Sequence, residues 1–445
     1  MTDALVHDLA GWATGLGRDQ VPDAAVHAAR RLLLDRLGIA LGGHRLHGPH
    51  PTANLAARMS GSPAATIWAT GGSVFAPYAA LANGCAGDAL ELAAEPTCAE
   101  AGFAAAEAAD RTLGELLVAI VAGAEVGGYL RRWLTEPLER HGLHPVAHVG
   151  GFAAATAAGR LLGLSADRLA GALATVGCLS PQAPYASFSG GATAKTLYGG
   201  WPHLLGLWAC LWAGGGTVGP ATALEGSRGV AQALLDVGGP IRPPAFRPAA
   251  DGWEIERVHF KPYPCNRASH PALTVLERFG RLDPAVVEAV RVWTYPYAVE
   301  LDRRSRGDDP TAVQMSVRKT VALFLHLGGL EPAAFSPSNL ADPRVADLAG
   351  RVSVDVDPRY AGEGPRIRGA RVRVTLRGGR VLDDRTDEAK WGRSAPATDE
   401  ELRERSRLLI GARPSPGPDP LEASELTRLR GWVTGVPHAP DTAGD

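Results

Sequence analysis

The spacing of apolar positions divides the chain into a long helical part and a shorter part of mixed character. Between residues 4 and 213 the apolar residues recur at the three- to four-residue spacing of helices, and Ala and Gly are frequent among them. Helices are predicted over residues 4–16, 21–41, 74–88, 98–109, 112–134, 148–163, 166–179 and 196–213. Because small side chains let helices approach closely, residues 1–250 are predicted to form one nearly all-helical domain.

After residue 250 the spacing changes to the alternation that is typical of strands. The Pro-rich run 238–248 cannot hold regular structure and predicts a linker before this change. Strands are predicted over residues 253–260, 288–297, 351–357, 370–376 and 381–386, and helices over 268–280 and 312–328. The last two strands flank an Arg-Gly-Gly-Arg turn, which indicates a hairpin.

Helical spacing returns in the C-terminal segment, over residues 397–410 and 420–433. The predicted fold class is therefore mainly α with a smaller α+β domain. Its three parts are a large all-helical domain (1–250), an α+β lid (251–396) and C-terminal helices that return to the helical domain (397–445). A chain of 445 residues is long enough for two domains and a large core.

Composition restricts the class of partner. The chain has 45 Lys and Arg residues against 47 Asp and Glu residues, so we expect neither a nucleic-acid surface nor an anionic-membrane surface. The N-terminal residues lack the pattern of a signal peptide, and apolar stretches such as 204–213 are too short to span a bilayer. Five cysteines without a Cys-x-x-Cys pair are typical of reduced thiols. We therefore expect a cytoplasmic protein.

Lysine is rare in this chain, which makes the positions that keep it informative. Arg supplies nearly all the other cations, and lysine occurs only at Lys195, Lys261, Lys319 and Lys390. A lysine ammonium is a compact charge whose pKa changes readily on burial. Lysines that are retained beside histidines and Gly-rich turns therefore indicate chemistry or carboxylate binding.

The candidate site residues lie in three short motifs, and two of these motifs contain one of the lysines. His144 precedes a proline and then a Gly-Gly that opens a helix, which places its imidazole in a turn where anions bind favourably. Lys195 follows a Gly-rich run that contains Ser189, and it precedes an apolar helix. Lys261 and His270 flank Pro-Tyr-Pro-Cys-Asn-Arg-Ala-Ser, whose prolines predict an extended segment.

The order of these motifs resembles the MmgE/PrpD family, which includes 2-methylcitrate dehydratases, cis-aconitate decarboxylases and iminodisuccinate epimerases. Residues 146–176 are similar to the family's Gly-Gly-Phe-Ala-Ala-Ala and Leu-Leu-Gly-Leu segments. Residues 189–230 resemble its Gly-rich loop, lysine, apolar helix and Gly-Pro-x-x-x-Leu-Glu-Gly turn. Residues 261–270 match its Lys-Pro-Tyr-Pro-Cys and histidine segment, and 314–329 match its Gln-x-Ser helix. The resemblance implies a helical domain, an α+β lid and a cleft between them.

For the site, the resemblance implies a carboxylate-binding cleft that works without a metal or other cofactor. His144 would act as general acid or base, a role for which a pKa near neutrality is useful. Lys195 would be the active-site lysine of its loop, and Lys261 and His270 would face the same cleft. Arg267 would be a second clamp for a carboxylate, because a guanidinium binds a carboxylate through two parallel hydrogen bonds.

The chain departs from the family in its acidic segment. Members that dehydrate or decarboxylate carry His-Ala-Leu-Asp-x-Asp-Asp and soon afterwards His-Pro-Ser. This chain instead reads Asp88-Ala-Leu-Glu91-Leu-Ala-Ala-Glu-Pro-Thr-Cys, and no histidine occurs between His50 and His141. One of the family's catalytic histidines is therefore absent. Glu91 is expected to stand where the first aspartate stood, which makes it a further catalytic candidate.

A second departure lies in the Gln-x-Ser helix, where Lys319, preceded by Arg318, replaces a tyrosine of the family. Lys319 is a catalytic candidate, and Arg318 and Ser189 are candidates for substrate binding. Two alternatives stay open on these residues. One is an enzyme for cyclisation or condensation in which Lys319 forms a Schiff base, with its pKa lowered by Arg318. The other is a homologue that has lost catalysis.

The preferred prediction is a lyase or isomerase that moves a proton on a small molecule bearing a carboxylate. Dehydration, decarboxylation and epimerisation all pass through an enolate-like intermediate that cations stabilise. The altered acidic segment indicates a specialised substrate, as in secondary metabolism. A homodimer through the helical domain is expected from the Trp- and Leu-rich segment 201–213. The histidines at 44, 47 and 50 are interpreted as a mobile loop and not as a metal site, because no Cys or acidic ligand is nearby.

Overall fold

Helices with small residues on their buried faces form the first part of the chain. The computed structural model describes residues 4–59, 62, 64–93, 95, 98–181, 183–189, 192–235, 242–361, 368–411 and 420–434. The helices of the first part are α1 (Leu5–Gly15), α2 (Asp23–His47), α3 (Pro51–Met59), α4 (Ala76–Asp88), α5 (Ala99–Ala108), α6 (Leu113–Arg140), α7 (Pro145–Leu161), α8 (Ala166–Leu179), α9 (Tyr185–Ser189), α10 (Leu197–Gly214) and α11 (Val230–Leu235). Two short strands, β1 (Ala65–Thr66) and β2 (Ser73–Val74), pair antiparallel between α3 and α4. The prediction of a mainly helical first part is confirmed.

Helix α7 packs against both α6 and α10, and α10 also packs against α4. Every residue from 147 to 159 on α7 is buried. The close approach depends on glycine: a Cβ on Gly206 of α10 would lie 2.7 Å from the Cβ of Ala154 on α7. Likewise, a Cβ on Gly84 of α4 would lie 2.5 Å from the carbonyl oxygen of Gly199 on α10. The end of α4 and the start of α10 therefore lie side by side, and this contact shapes the site.

Helix α6 is apolar because it is buried in the core. Its 28 residues are long and apolar enough to cross a membrane, yet 89% of its most apolar window is buried inside the protein. At its start, Thr112 and Glu115 form a capping box that satisfies two exposed N–H groups. A buried core helix accounts for the apolar composition of this segment.

A small sheet organises the second part of the chain. Its elements are α12 (His270–Arg278), β3 (Val287–Thr294), α13 (Pro296–Arg304), α14 (Pro310–Met315), α15 (Val317–Leu327), α16 (Pro337–Leu340), α17 (Pro343–Gly350), β4 (Val352–Val356), β5 (Ala370–Leu376) and β6 (Val381–Thr386). The strand order is β4-β3-β5-β6, with β3 parallel to β4 and antiparallel to β5. Residues along β5 alternate between buried and half-buried, as a strand with one covered face requires. The predicted hairpin of β5 and β6 is confirmed.

The chain then returns to the helical part through α18 (Asp399–Ile410) and α19 (Leu426–Val433). Helix α18 packs against α2, where Arg405 forms an ion pair with Asp35. Arg405 also donates a hydrogen bond of 2.6 Å to the carbonyl oxygen of Lys261. The C-terminal segment thereby supports the segment that joins the two parts.

Three local predictions are wrong. Residues 253–260 are not a strand: they contain the 3₁₀ turn Glu254–Arg257, and Ile255 packs into the helical core because the segment lies on α6 and not beside the sheet. The strand predicted to reach 297 ends at Thr294, since Pro296 begins α13. The helix predicted over 312–328 is divided at residue 316, which lies in extended backbone between α14 and α15.

The two hydrophobic cores meet near residue 261. The first core takes in buried residues up to Phe260 and again from Ala397 onward. The second core begins at Tyr263 and extends through Leu376. Residues 251–260 therefore pack against the helical domain and not against the sheet. We propose that the lid starts about ten residues later than the sequence pattern indicated.

Candidate active site

Four charged side chains meet where α4 ends and α10 begins. Asp88 is the last residue of α4, and Glu91 lies in the turn that follows it. Lys195 comes from the 3₁₀ turn directly before α10. Lys261 reaches the same point from the segment that joins the two cores. Glu91, Lys195 and Lys261 are buried, so their charges interact through an environment that screens them weakly.

Glu91 holds both ammonium groups. Its carboxylate accepts a hydrogen bond from Lys195 Nζ and another, of 2.7 Å, from Lys261 Nζ. The carbonyl oxygen of Glu91 accepts a second bond from Lys261 Nζ at 3.0 Å. Among the described residues, two of the three N–H donors of Lys261 are thus used, which leaves one for a substrate oxygen. Lys195 Nζ also lies 3.0 Å from Asp88 Oδ2.

The backbone of Glu91 is strained. Its φ angle of 55° lies in the left-handed region that residues other than glycine rarely adopt. Such strain persists only where surrounding contacts determine the conformation, and it concentrates at functional sites. The ion pairs of the Glu91 carboxylate and the hydrogen bond to its carbonyl oxygen supply those contacts.

The two carboxyl groups of this cluster have opposite pKa shifts. Burial acts to raise the pKa of Glu91, but Lys195 and Lys261 together hold it well below its ordinary value. Burial raises the pKa of Asp88 by more than its pairing with Lys195 lowers it. Burial acts to lower the pKa of Lys195, but Asp88 and Glu91 raise it overall. Glu91 is therefore ionised and Lys195 is charged, while Asp88 keeps its proton to a higher pH than an ordinary carboxyl.

His144 lies just before α7, at the helix entrance that the sequence predicted. Its backbone N–H donates to the carbonyl oxygen of Ala183 at 2.7 Å, and its ring lies 5.3 Å from Tyr185 and 5.6 Å from Tyr198 between centroids. Burial lowers the pKa of His144 to about 4, against the opposing effect of Glu95. The pKa near neutrality that was expected is therefore not found, and the imidazole is neutral at pH 7, the form that accepts a proton.

A second carboxylate lies close to His144. Glu95 Oε2 is 3.0 Å from Arg131 Nη1 of α6. Burial acts to raise the pKa of Glu95, but Arg131, Arg267 and the imidazole lower it. Burial lowers the pKa of Arg267, whose Nη2 donates a hydrogen bond of 2.7 Å to the carbonyl oxygen of His259. Arg267 is thus fixed in place beside the cavity, as a clamp for an anion would be.

These groups line one cavity of about 1020 Å³. Nine of its lining residues are cationic and five are carboxylates, among the residues that the structure describes. The cations are Arg36, Arg131, Arg132, Arg140, Lys195, Lys261, Arg267, Arg359 and Arg368, and the carboxylates are Asp88, Glu91, Glu95, Glu136 and Glu139. Three of the cations pair with carboxylates outside the cavity lining, namely Arg36 with Glu100, Arg132 with Glu254 and Arg359 with Asp387. The remaining cations still outnumber the lining carboxylates, so the cavity attracts anionic small molecules.

Tyrosines complete the cavity wall, and the sequence pattern had not singled them out. Five of the eight tyrosines in the chain line this one cavity, and they come from both parts of the fold. They are Tyr185, Tyr198, Tyr295, Tyr297 and Tyr360. Their separation by up to 175 positions leaves no motif, although the Tyr-Pro-Tyr run at 295–297 was a local signal.

Not every predicted residue reaches the cavity. His270 is buried behind it, where its ring contacts Tyr263 and its Nε2 lies 3.1 Å from the carbonyl oxygen of Cys265. Burial lowers the pKa of His270 to about 3. The structure therefore brings Lys195, Lys261 and His144 together, but it places His270 outside the cavity lining, contrary to the expectation that all four share one cleft.

Three other candidates also lie elsewhere or cannot be placed. Lys319 Nζ is engaged with Asp308 and with the carbonyl oxygen of Gly307, both at 2.6 Å, because α15 directs it away from the cavity lining. Arg318, also on α15, pairs with Asp302 of α13 at 3.5 Å and does not line the cavity either. The side chain of Ser189 lies outside the described residues.

The histidines near the end of α2 do not form the loop that was expected. Helix α2 continues to His47, so both His44 and His47 are helical. His50 contacts Thr52 Oγ1 at 2.8 Å and Thr196 Oγ1 at 3.0 Å. Within the described part of the chain, no group of three or more His, Cys, Asp or Glu side chains could hold a metal ion. Independence from metals and cofactors stays a prediction.

Comparison with known proteins gives matches along both parts of the fold. The family model described as MmgE/PrpD N-terminal domain matches residues 7–240, and the MmgE/PrpD C-terminal domain matches residues 263–419. A cis-aconitate decarboxylase of Aspergillus terreus is 26% identical over 443 residues, covering 91% of this chain and 89% of the relative. The Homo sapiens cis-aconitate decarboxylase is 24% identical over 431 residues, covering 92% of this chain and 88% of the relative. That of Mus musculus is 23% identical over 432 residues, with 92% and 87% covered.

Proposed function

This chain belongs to the MmgE/PrpD family, and from that premise we propose that it is a lyase-type enzyme that moves a proton on a small molecule bearing a carboxylate. Relatives named cis-aconitate decarboxylase support carboxylate chemistry of this kind. The observation that carries the proposal is the convergence of Lys195, Lys261 and a neutral His144 on one cationic cavity. Dehydration, decarboxylation and epimerisation are the reactions that this arrangement suits.

The cations would hold the substrate. One N–H donor of Lys261 remains for a substrate oxygen, and Lys195 lies at the same carboxylate. A substrate carboxylate at this point would meet the positive charge that one ionised carboxylate leaves on two ammonium groups. The same ammonium groups stabilise the negative charge that develops when the carbon beside the carboxylate becomes enolate-like. Arg267, which lines the same cavity, would bind a second anionic group.

His144 and Asp88 would divide the proton transfer. In the neutral form, His144 accepts a proton from the carbon beside the carboxylate, and the electron pair of the C–H bond moves onto the carboxylate as an enolate. Asp88, with its raised pKa, would give a proton to the departing hydroxyl or to the enolate carbon. In a decarboxylation the C–C bond breaks instead, CO₂ leaves, and the same acid protonates the carbon that remains. Burial thus keeps the imidazole of His144 in its neutral, proton-accepting form and favours the protonated form of Asp88, which suits the two groups to act as base and acid.

Proton NMR in deuterated water tests this function directly. The wild-type protein would be incubated with cis-aconitate, citrate, 2-methylcitrate and simpler dicarboxylates, and the signals of each carbon-bound proton followed. We expect solvent deuterium at one carbon of at least one carboxylate, with or without net conversion, and no such incorporation by the His144→Ala variant. Incorporation by the variant at the wild-type rate would contradict the role of His144, and the absence of any change across the panel would contradict the function.

A further inference from the structure

The cavity is larger than its reacting end requires. Its volume of about 1020 Å³ lies at the upper end of the range of about 300–1,000 Å³ in which proteins hold drug-sized molecules. The charged cluster and His144 occupy one section of the wall. A small dicarboxylate would leave most of this volume to water, so the remaining wall has room for a further part of the ligand.

Aromatic rings form a continuous surface next to the reacting end. Tyr185 contacts the ring of His144 and hydrogen-bonds to Tyr297. The rings of Tyr297 and Tyr295 lie 6.4 Å apart between centroids and are nearly parallel, with an angle of 11° between their planes. We call these three tyrosines the aromatic wall. It runs from the imidazole in the helical part to the start of α13 in the sheet part.

The outer member of this wall presents an exposed ring. The Tyr297 side chain is 39% exposed although it lines the cavity, whereas Tyr295 beneath it is 8% exposed. A ring with an open face can hold another flat group by offset stacking. Arg368 and Glu139 lie close enough to influence the pKa of Tyr297, so the wall ends at a charged rim.

We propose that the substrate carries an aromatic or flat unsaturated group in addition to its carboxylate, and that this group stacks on the aromatic wall while Lys195 and Lys261 hold the carboxylate. The inference rests on the proposed function, because it takes the charged cluster as the anchor. It assigns Tyr297 as a residue that determines specificity. Substrates without a flat group would bind at the charged end alone and therefore weakly.

Two ligands that differ by one benzyl group test this proposal. Succinate and racemic 2-benzylsuccinate would be titrated into the full-length protein by isothermal calorimetry. Burying the phenyl ring on the aromatic wall should make 2-benzylsuccinate bind at least about tenfold more tightly than succinate. The Tyr297→Ala variant should lose most of that difference while its affinity for succinate stays near that of wild type. Tyr297 is suited to this change because its exposed ring contributes little to the core.

Two further variants serve as controls for the loss of the Tyr297 ring. Tyr297→Phe keeps the ring and loses only the hydroxyl bonded to Tyr185, so we expect it to keep the preference for 2-benzylsuccinate. Leu408→Ala, which removes an exposed apolar side chain of α18 outside the cavity, should behave as wild type. Equal affinities of the two ligands for wild type, or a preference that survives Tyr297→Ala, would overturn the proposal. So would a Tyr297→Phe variant that loses as much as Tyr297→Ala.

Failure of the proposed function gives a different pattern. Lys195→Ala should weaken the binding of both ligands by a similar factor, because both present a carboxylate to the charged cluster. If Lys195→Ala leaves succinate binding unchanged, the anchor is wrong even where the benzyl group strengthens binding. If neither ligand binds to wild type, the carboxylate site and the inference fall together.

Discussion

Glu91 is a single carboxylate that pairs with two buried ammonium groups. The strained backbone of this residue costs on the order of 1–3 kcal/mol, which its ion pairs offset. Without Glu91, Lys195 would keep Asp88 as a partner, but Asp88 has a raised pKa and is the weaker counter-charge. Lys261 would have no carboxylate partner among the described residues. The residue therefore positions both cations for the substrate.

The contrast between these two carboxyl groups makes a stability prediction. Glu91→Gln keeps the shape of the side chain and the strained backbone but leaves buried ammonium groups uncompensated, so we expect a loss of about 3 kcal/mol in the free energy of unfolding. Asp88→Asn is the matched control, since it removes a carboxyl from the same cluster that pairs with only one lysine. Urea denaturation measures both. Equal stability of the two variants would refute the central position of Glu91.

Individual roles of these residues were only partly predictable. The motifs around His144, Lys195 and Lys261 directed attention to residues that do line the cavity. The shared ion pair at Glu91 could not be derived, because residues 91, 195 and 261 meet only through the close packing of α4 and α10. The low pKa of His144 depends on its burial next to Tyr185 and Tyr198, which come from other segments of the chain. The local sequence around His144 does not predict these contacts.

At the scale of elements, the contact between α4 and α10 sets the geometry of the site. A Cβ on Gly84 would lie 2.5 Å from the carbonyl oxygen of Gly199, and one on Gly199 would lie 2.5 Å from the Cβ of Asp88. Backbone atoms cannot give way as the end of a flexible side chain can. The two helices therefore stay close only while these positions remain glycine, and Asp88 and Lys195 stay within reach of each other for the same reason.

A glycine in this contact and a glycine outside it should respond in opposite ways to substitution by alanine. Gly84→Ala should separate α4 from α10 and lower the free energy of unfolding by about 1–3 kcal/mol. Gly11→Ala, at an exposed position in the middle of α1 with no heavy atom within 4 Å of the new Cβ, should raise it by up to about 1 kcal/mol. Thermal denaturation of both variants provides the measurement. A Gly84→Ala protein as stable as wild type would show that the helices are not constrained as described.

Elements with a clear period were predicted well, and those with mixed signals were not. The helices of the first part show their apolar spacing over many turns, and the hairpin of β5 and β6 shows strict alternation around a Gly-Gly turn. Residues 253–260 look alternating, but a strand needs a neighbour, and this segment packs on α6 instead. The apolar spacing continues past Pro296 and Ser316, but Pro296 begins a helix after β3, and Ser316 caps α15 and so separates it from α14.

At the scale of the whole molecule, buried histidines make the fold sensitive to acid. Burial lowers the pKa of both His144 and His148 from the ordinary 6.5 to about 4 and that of His270 to about 3. The unfolded chain therefore binds protons between about pH 6.5 and pH 4 that the folded chain does not. Stability is fully present above pH 6.5 and is lost as the pH falls through this window.

This linkage predicts a melting temperature that falls steadily from about pH 6.5 to pH 4.5, with each buried histidine contributing up to about 1.4 kcal/mol per pH unit. His148 lies outside the cavity lining, so His148→Asn tests the effect apart from function. We expect a shallower fall for this variant than for wild type. The exposed His141→Asn serves as the control. A melting temperature independent of pH across this range would contradict the account.

A second property of the whole molecule is its proposed assembly as a homodimer. Leu197, Trp201 and Trp212 of α10 are 42%, 41% and 39% exposed, and their spacing places them on one side of the helix. Covering this surface with a second copy would remove apolar area from water. Light scattering at micromolar concentration should give twice the mass of one chain. The Trp201→Glu variant should give a lower mass, because the charge weakens the association of the two copies. A wild-type protein that stays monomeric at all these concentrations would remove the proposal.

The most direct test of the account is the kinetics of His144→Ala and Lys195→Ala on the carboxylate that exchanges in deuterated water. His144→Ala should lower kcat by roughly 10²- to 10⁴-fold and leave KM nearly unchanged, since it removes a proton acceptor. Lys195→Ala should raise KM as well, because its ammonium acts on the bound substrate and on the transition state alike. A His144→Ala enzyme with wild-type kcat would contradict the central claim that this imidazole moves the proton.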